Sequence, residues 1–228
     1  MTIRLLTPIE ARTLATLMEK ARTVPDSYPL SLNALVLGCN QKTSREPLMD
    51  ISDDEVRTAL GCLKAQSLVF EGASSRVPRY EHNFQRAAGV NEAAAVVLGL
   101  LMLRGPQTPA ELRTNGERWY KFADAQVVDA VLADLQQRGE DGGQATVVKL
   151  PRMPGAREQR WTHLLCGEPD LQALAAAAPT TQEAEGLLAR VTALENALAL
   201  LKADNARLQA NMAHVCHELG ISPALLPD

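Results

Sequence analysis

Residues 7–84 and 91–165 carry the same elements in the same order, so one supersecondary unit is used twice. The clearest copy is Arg76-Val-Pro-Arg79-Tyr80-Glu81-His82-Asn83-Phe84 against Arg157-Glu158-Gln159-Arg160-Trp161-Thr162-His163-Leu164-Leu165. A repeat of this size restricts the fold to units that stack on themselves, and each reading of one copy can be checked on the other.

Each unit opens with a helix. Thr7-Pro8 supplies a cap and the proline favoured at a first helical position. Ala11, Leu14, Leu17, Met18 and Ala21 follow at helical spacing, as do Ala95, Leu98, Leu101, Met102 and Gly105 after the cap Asn91. A second helix starts at Ser31 or Thr108, preceded by Pro29 or Pro106. The third opens on the capping box Ser52-Asp53-Asp54-Glu55 in one copy and on Asp124 in the other. Its inner stripe is Val56, Leu60 and Leu63, matched by Val128, Leu132 and Leu135. Two strands close each copy, at 67–71 with 78–84 and at 145–150 with 158–165. Three helices and a hairpin make a winged helix, so the expected fold is mainly α, an α+β arrangement of two tandem winged-helix domains and a C-terminal coiled coil.

Strand alternation places Tyr80, His82 and Phe84 on one face, and Trp161, His163 and Leu165 on the equivalent one. That face reads as core, with both histidines hydrogen-bonded within it. Arg79 and Arg160 point the opposite way.

After an Ala-rich stretch that ends at Pro179, a new helix starts at Thr180-Thr-Gln-Glu183. Leu187, Leu194, Leu201, Leu208 and Val215 then fall at d positions of a heptad. Val191, Leu198, Asn205, Met212 and Leu219 fall at a positions. Leu at d with a single Asn at a specifies a parallel two-stranded coiled coil, and hence a homodimer. Leu188 and Leu200 lie off this seam and keep open a helix folded back on the domains. The domain boundaries read as 1–89, 90–168, a linker at 169–181, the coiled coil at 182–220 and a tail at 221–228.

The net charge is −4, and residues 1–89 hold 11 Lys/Arg against 10 Asp/Glu, so neither repeat is strongly basic. No apolar run reaches the ~20 residues needed to span a bilayer. No secretory leader is visible, and Cys39, Cys62, Cys166 and Cys216 are scattered, which points to a reducing cytoplasmic setting. Phosphate-binding, nucleophile-elbow and zinc-protease motifs are absent. His214, Cys216 and His217 lie close together but lack a second ligand pair. The chain therefore reads as non-enzymatic, with no cofactor and no metal site.

A winged helix usually reads DNA with its third helix. Here that helix begins with Asp53, Asp54 and Glu55, and its counterpart carries Asp124, Asp129 and Asp134, which repel phosphate. Positive charge sits instead at Lys42 and Arg45 in the loop before the third helix, at Arg76 and Arg79 in the first wing, and at Lys149, Arg152, Arg157 and Arg160 in the second. These are the candidate contacts to double-stranded DNA or to a protein partner.

Irregular segments carry a resemblance as well. Residues 18–42, the run Leu103-Arg-Gly-Pro-Gln-Thr-Pro-Ala-Glu-Leu-Arg113, Lys149-Leu-Pro-Arg152 and Pro154-Gly-Ala-Arg-Glu158 resemble the bacterial YceH-like family over about residues 4–168. The resemblance implies a cytoplasmic tandem winged-helix protein and carries no catalytic residues. Two readings stay open: a dimeric DNA-associated regulator that docks through its wings, and a protein–protein scaffold that uses winged helices without DNA.

Overall fold

Six helix starts are set by local capping. Thr7, Ser52 and Thr108 each accept from the backbone N–H three residues on, while Glu10, Glu55 and Glu111 reach back to the cap's own N–H. Ser31 and Asn91 cap through their side-chain oxygens, and Asp124 Oδ1 accepts from Val127 N at 2.9 Å. These are the starts that the repeat predicts. The computed structural model describes residues 3–72, 77–140, 145–153, 156–172 and 181–219.

The first repeat runs α1 (Pro8–Thr23), β1 (Leu30–Ser31), α2 (Leu32–Cys39), α3 (Asp53–Ala65), β2 (Val69–Gly72), β3 (Arg79–His82) and α4 (Phe84–Ala88). The second runs α5 (Glu92–Arg104), α6 (Pro109–Gly116), α7 (Ala125–Glu140), β4 (Val147–Lys149) and β5 (Trp161–His163). Separately, α8 covers Thr181–Glu218. The protein is mainly helical with small antiparallel sheets, an α+β arrangement. It divides into two compact units, Met1–Asp170 and Leu171–Asp228.

The first sheet holds a third strand that the hydrophobic pattern does not announce. β1 pairs antiparallel with β3, Leu30 opposite Tyr80, giving the order β1-β3-β2. The second repeat echoes this with a single bridge between Gln107 and Trp161, whose N–H groups and carbonyls exchange hydrogen bonds at 3.0 and 2.8 Å. Two residues are too few for an alternation signal, and the caps Ser31 and Thr108 hide them.

The strands are shorter than expected. β3 ends at His82 and β5 at His163, so Phe84 and Leu165 lie beyond the strands. Phe84 instead starts α4, which ends on Gly89 in the left-handed region at φ 64°. Both side chains are nonetheless buried. Tyr80 and Trp161 are buried as the alternation predicts, but Thr162 on the opposite face of β5 is buried too.

The core lies between the first helices of the two repeats. α1 and α5 pack on each other, and one apolar cluster joins Leu14, Leu17 and Met18 to Leu98, Leu101 and Met102. Every α5 residue from Ala94 to Leu103 is buried, the condition of a helix apolar on all sides. Gly99 permits this approach: a Cβ there would lie 2.8 Å from the Trp119 ring and 3.2 Å from the Met18 methyl. Leu6 N–H to Leu165 O (2.7 Å) and Glu46 N–H to Leu103 O (2.7 Å) cross between the repeats, so 1–89 and 90–168 share one core.

Candidate nucleic-acid interface

The loop before α3 is built from its own polar residues. Asn40 clasps Ile51 through two hydrogen bonds of 2.8 Å, its amide donating to the carbonyl and its oxygen accepting from the N–H. Arg45 is only 4 % exposed. Its guanidinium grips the Glu19 carboxylate at 3.2 and 2.6 Å and donates to the Gly38 carbonyl at 3.1 and 2.8 Å. Arg12, also buried, donates to the Cys39 carbonyl at 3.1 Å and to the Pro47 carbonyl at 2.6 Å. The two arginines thus satisfy carbonyls at the C-terminal end of α2, where the helix dipole favours cations. Burial pushes the Glu19 carboxyl up, but the hydrogen bonds and charge of Arg45 outweigh it and hold the group below its usual range. Burial lowers the Arg12 pKa, and the charge of Arg45 adds to this.

Arg45 is therefore not a surface contact: its charge and its donors are committed inside the fold, and the expectation for it is corrected. Lys42 is exposed. Arg76 lies outside the described residues. Arg79 and Arg160 are exposed as their parity requires, yet each holds the start of the second helix of its repeat. Arg79 Nη1 donates to the Pro29 carbonyl at 2.8 Å, and Arg160 Nη1 to the Pro106 carbonyl at 2.7 Å. Arg160 also pairs with Glu111 at 2.6 Å.

The remaining cations of the second wing converge. Lys149, Arg152 and Arg157 line one cleft of about 300 Å³ together with Pro109 of α6, Trp161 of β5 and two carboxylates, Asp129 of α7 and Glu158. Lys149 Nζ lies 5.3 Å from the centre of the Trp161 ring. None of the three cations forms an ion pair among the described residues. Three cations against two carboxylates leave the cleft a net charge of +1 beside the Trp161 ring. In the first repeat, the exposed opening turn of α3 presents Asp53, Asp54 and Glu55, which repels a polyanion.

The matched histidines are structural. The Tyr28 hydroxyl accepts from the His82 N–H at 2.7 Å, and His82 Nδ1 accepts from Phe84 N at 3.4 Å. Burial, helped by the charge of Arg22, takes His82 down to about 4. Burial alone takes His163 to about 4. His163 Nδ1 has no hydrogen-bond partner, so only His82 is tied in as the sequence suggests. Cys39 is fully buried, with its thiol 3.6 Å from Thr16 Oγ1. No group of three or more metal-ligating side chains occurs among the described residues.

α8 exposes its apolar seam. Val191, Leu194, Leu198, Leu201, Leu208, Met212, Val215 and Leu219 are each between 46 and 68 % exposed. Asn205 is exposed among them. The Leu187 side chain, the start at Thr180, most of the Ala-rich stretch and the tail lie outside the described residues. No helix among the described residues is long and apolar enough to cross a membrane.

Sequence patterning did not find the Arg12–Glu19–Arg45 cluster, because Arg12 and Glu19 meet groups at least 26 residues away, at Cys39, Pro47 and Arg45. One signal was available: Arg12 and Glu19 sit on the same helix as Leu14, Leu17 and Met18, where charged residues flank an apolar stripe.

These features define a class: a mainly helical α+β protein of two fused three-helix-and-hairpin repeats, with a cationic cleft in the second hairpin. A family model described as "Protein of unknown function, DUF480" matches residues 6–156. A UPF0502 protein of Polaromonas sp. (strain JS666) is 77% identical over 229 residues, covering 100% of this chain and 97% of the relative. The UPF0502 protein of Polaromonas naphthalenivorans is 57% identical over 97% of this chain and 100% of its own. That of Paraburkholderia phymatum is 50% identical over 96% and 92%. The chain belongs to this DUF480/UPF0502 family of bacterial YceH-like proteins.

Proposed function

We propose that this protein is a non-enzymatic, cytoplasmic, DNA-associated regulator of tandem winged-helix fold. It grips the duplex backbone with its second wing. The convergence of Lys149, Arg152 and Arg157 on one cleft carries this reading. Each cation that replaces a phosphate counterion adds affinity regardless of base sequence. Asp129 and Glu158 line the same cleft and oppose phosphate, so the contact rests on those three cations. A parallel coiled coil of α8 from two copies doubles the weak single-wing contact. Its support is the a/d seam with Asn205, which leaves apolar side chains in water in a single chain.

Fluorescence anisotropy with a ~20-base-pair duplex tests the reading. Binding should be measurable at ~50 mM salt and fall steeply as salt rises. Replacing Lys149, Arg152 and Arg157 together by Ala should flatten the slope of log affinity against log salt by about 2–3. A chain that binds no duplex at low salt refutes it. The second reading, a protein–protein scaffold, is favoured by the exposed acidic turn Asp53-Asp54-Glu55, a surface suited to a basic partner.

A further inference from the structure

A second cleft, of about 290 Å³, lies where the two repeats meet. The first repeat supplies Ser44 and Glu46 from the loop that follows α2. The second supplies Arg104 from the end of α5, Gln107 and Asn115 around α6, and Arg160 from the second wing. The backbone beneath is fixed by the hydrogen bond from Glu46 N–H to Leu103 O and by the buried Arg45. Ser44 is held in the left-handed region at φ 61°, unusual for a residue with a side chain. Its hydroxyl accepts from Arg104 Nη2 at 2.6 Å.

Of the five charged residues that line the cleft, Arg45 is paired with Glu19 and Arg160 with Glu111, which leaves Arg104 and Glu46. Arg160 and Glu111 neutralise each other at 2.6 Å, and Glu111 is further engaged in the cap at Thr108. Arg104 is half-buried, feels the opposed charges of Glu19 and Arg45, and forms no ion pair among the described residues. Of the five N–H donors a guanidinium carries, one is used here. Glu46 is exposed and forms neither an ion pair nor a side-chain hydrogen bond among the described residues. Asn115 donates to Gln107 Oε1 at 2.8 Å, which leaves Asn115 Oδ1 as an acceptor. A partly desolvated guanidinium with idle donors gains most from a carboxylate.

The geometry points to a small-molecule site that takes a zwitterion of amino-acid size, its carboxylate on Arg104 and its ammonium group on Glu46. The volume lies at the lower edge of the range for ligand sites, about 300 Å³, which excludes a nucleotide. A bare dianion such as phosphate fits the charges less well: Arg104 matches one of its charges, and the other would face the exposed Glu46 carboxylate. The site is separate from the cationic cleft of the second wing and stands whether or not that cleft binds DNA.

Titration calorimetry on the full chain tests it, with each L-amino acid singly and with acetate, inorganic phosphate and methylamine as single-charge probes. At least one amino acid should bind, and should raise the unfolding midpoint by about 3–6 °C at tenfold excess over its Kd. Acetate, phosphate and methylamine should bind much more weakly. Glu46→Gln should weaken that amino acid about tenfold, and Arg104→Gln about ten- to hundredfold. Glu46 forms no ion pair or side-chain hydrogen bond among the described residues, so Glu46→Gln remains informative if Arg104→Gln fails to fold. The proposal is overturned if no amino acid binds, if acetate or phosphate binds as well as the best amino acid, or if Glu46→Gln leaves its affinity unchanged.

Discussion

Arg160 Nη1 donates to the Pro106 carbonyl at 2.7 Å, tying the second wing to the residues that lead into α6. Arg79 makes the same bond to Pro29 in the first repeat at 2.8 Å. The arginines that stand out as repeated and outward-facing are thus matched structural ties between the last strand and the second helix of each repeat. Arg160→Ala should cost about 1 kcal/mol and lower the unfolding midpoint by about 2–4 °C. Its effect on duplex affinity should be smaller than that of Lys149→Ala. Thermal melts and anisotropy on both variants check this. An Arg160→Ala protein that melts normally but loses DNA would reverse the assignment.

The Arg45–Glu19 pair should dominate core stability. Arg45→Met leaves the Glu19 carboxylate uncompensated and the Gly38 carbonyl unpaired, and should cost about 3–5 kcal/mol at pH 7. The folded Glu19 pKa lies below its ordinary value of 4.5. As pH falls, the unfolded chain takes up the proton first, so this contribution is present above about 4.5 and is lost as pH drops through the folded value. Urea unfolding at pH 7 and in acid should show the penalty of Arg45→Met shrinking once Glu19 is protonated. A penalty independent of pH would remove Glu19 from the account.

What the sequence made legible follows from range. The cap at Thr7 and the capping box at Ser52 are local, and the stripes Val56–Leu60–Leu63 and Val128–Leu132–Leu135 span two turns, so a linear reading finds them. The repeat then supplies order and boundaries. Tertiary choices were hidden. Arg45 and Lys42 look alike on a polar loop, and only the fold brings Glu19 and Gly38 to one of them. Arg104 and Glu46 lie 58 residues apart, and no local pattern links them. The run Ala94–Leu103 did carry a stronger message than its stripe, since a helix apolar all round is central.

His82 and His163 both titrate in the folded chain at about 4, well below the ordinary 6.5. Between these values the unfolded chain binds the protons that the folded chain refuses. Each histidine's contribution is therefore complete above about 6.5 and is lost as pH falls towards 4. The imidazole resonances of His82 and His163 should move with midpoints near 4 in an NMR titration. Replacing both by Phe should flatten the loss of stability between pH 6 and pH 4. Midpoints near 6.5 would show that the two rings are solvated.

The C-terminal helix gives the last expectation. α8 spans 38 residues, about 57 Å at 1.5 Å per residue. Its seam leaves Leu194, Leu201 and Leu208 more than half exposed. On the proposed dimer, a second copy in parallel would cover those leucines and set the Asn205 residues side by side, a pairing that fixes register at some cost in stability. Light scattering should give a dimer for the full chain and a monomer for residues 1–170, which form a compact unit of their own. Asn205→Leu should tighten self-association and broaden it towards trimers and tetramers, because the polar pair no longer penalises other registers. A monomeric full chain, or a truncated chain that stays dimeric, would place self-association elsewhere and leave the exposed seam to a different partner.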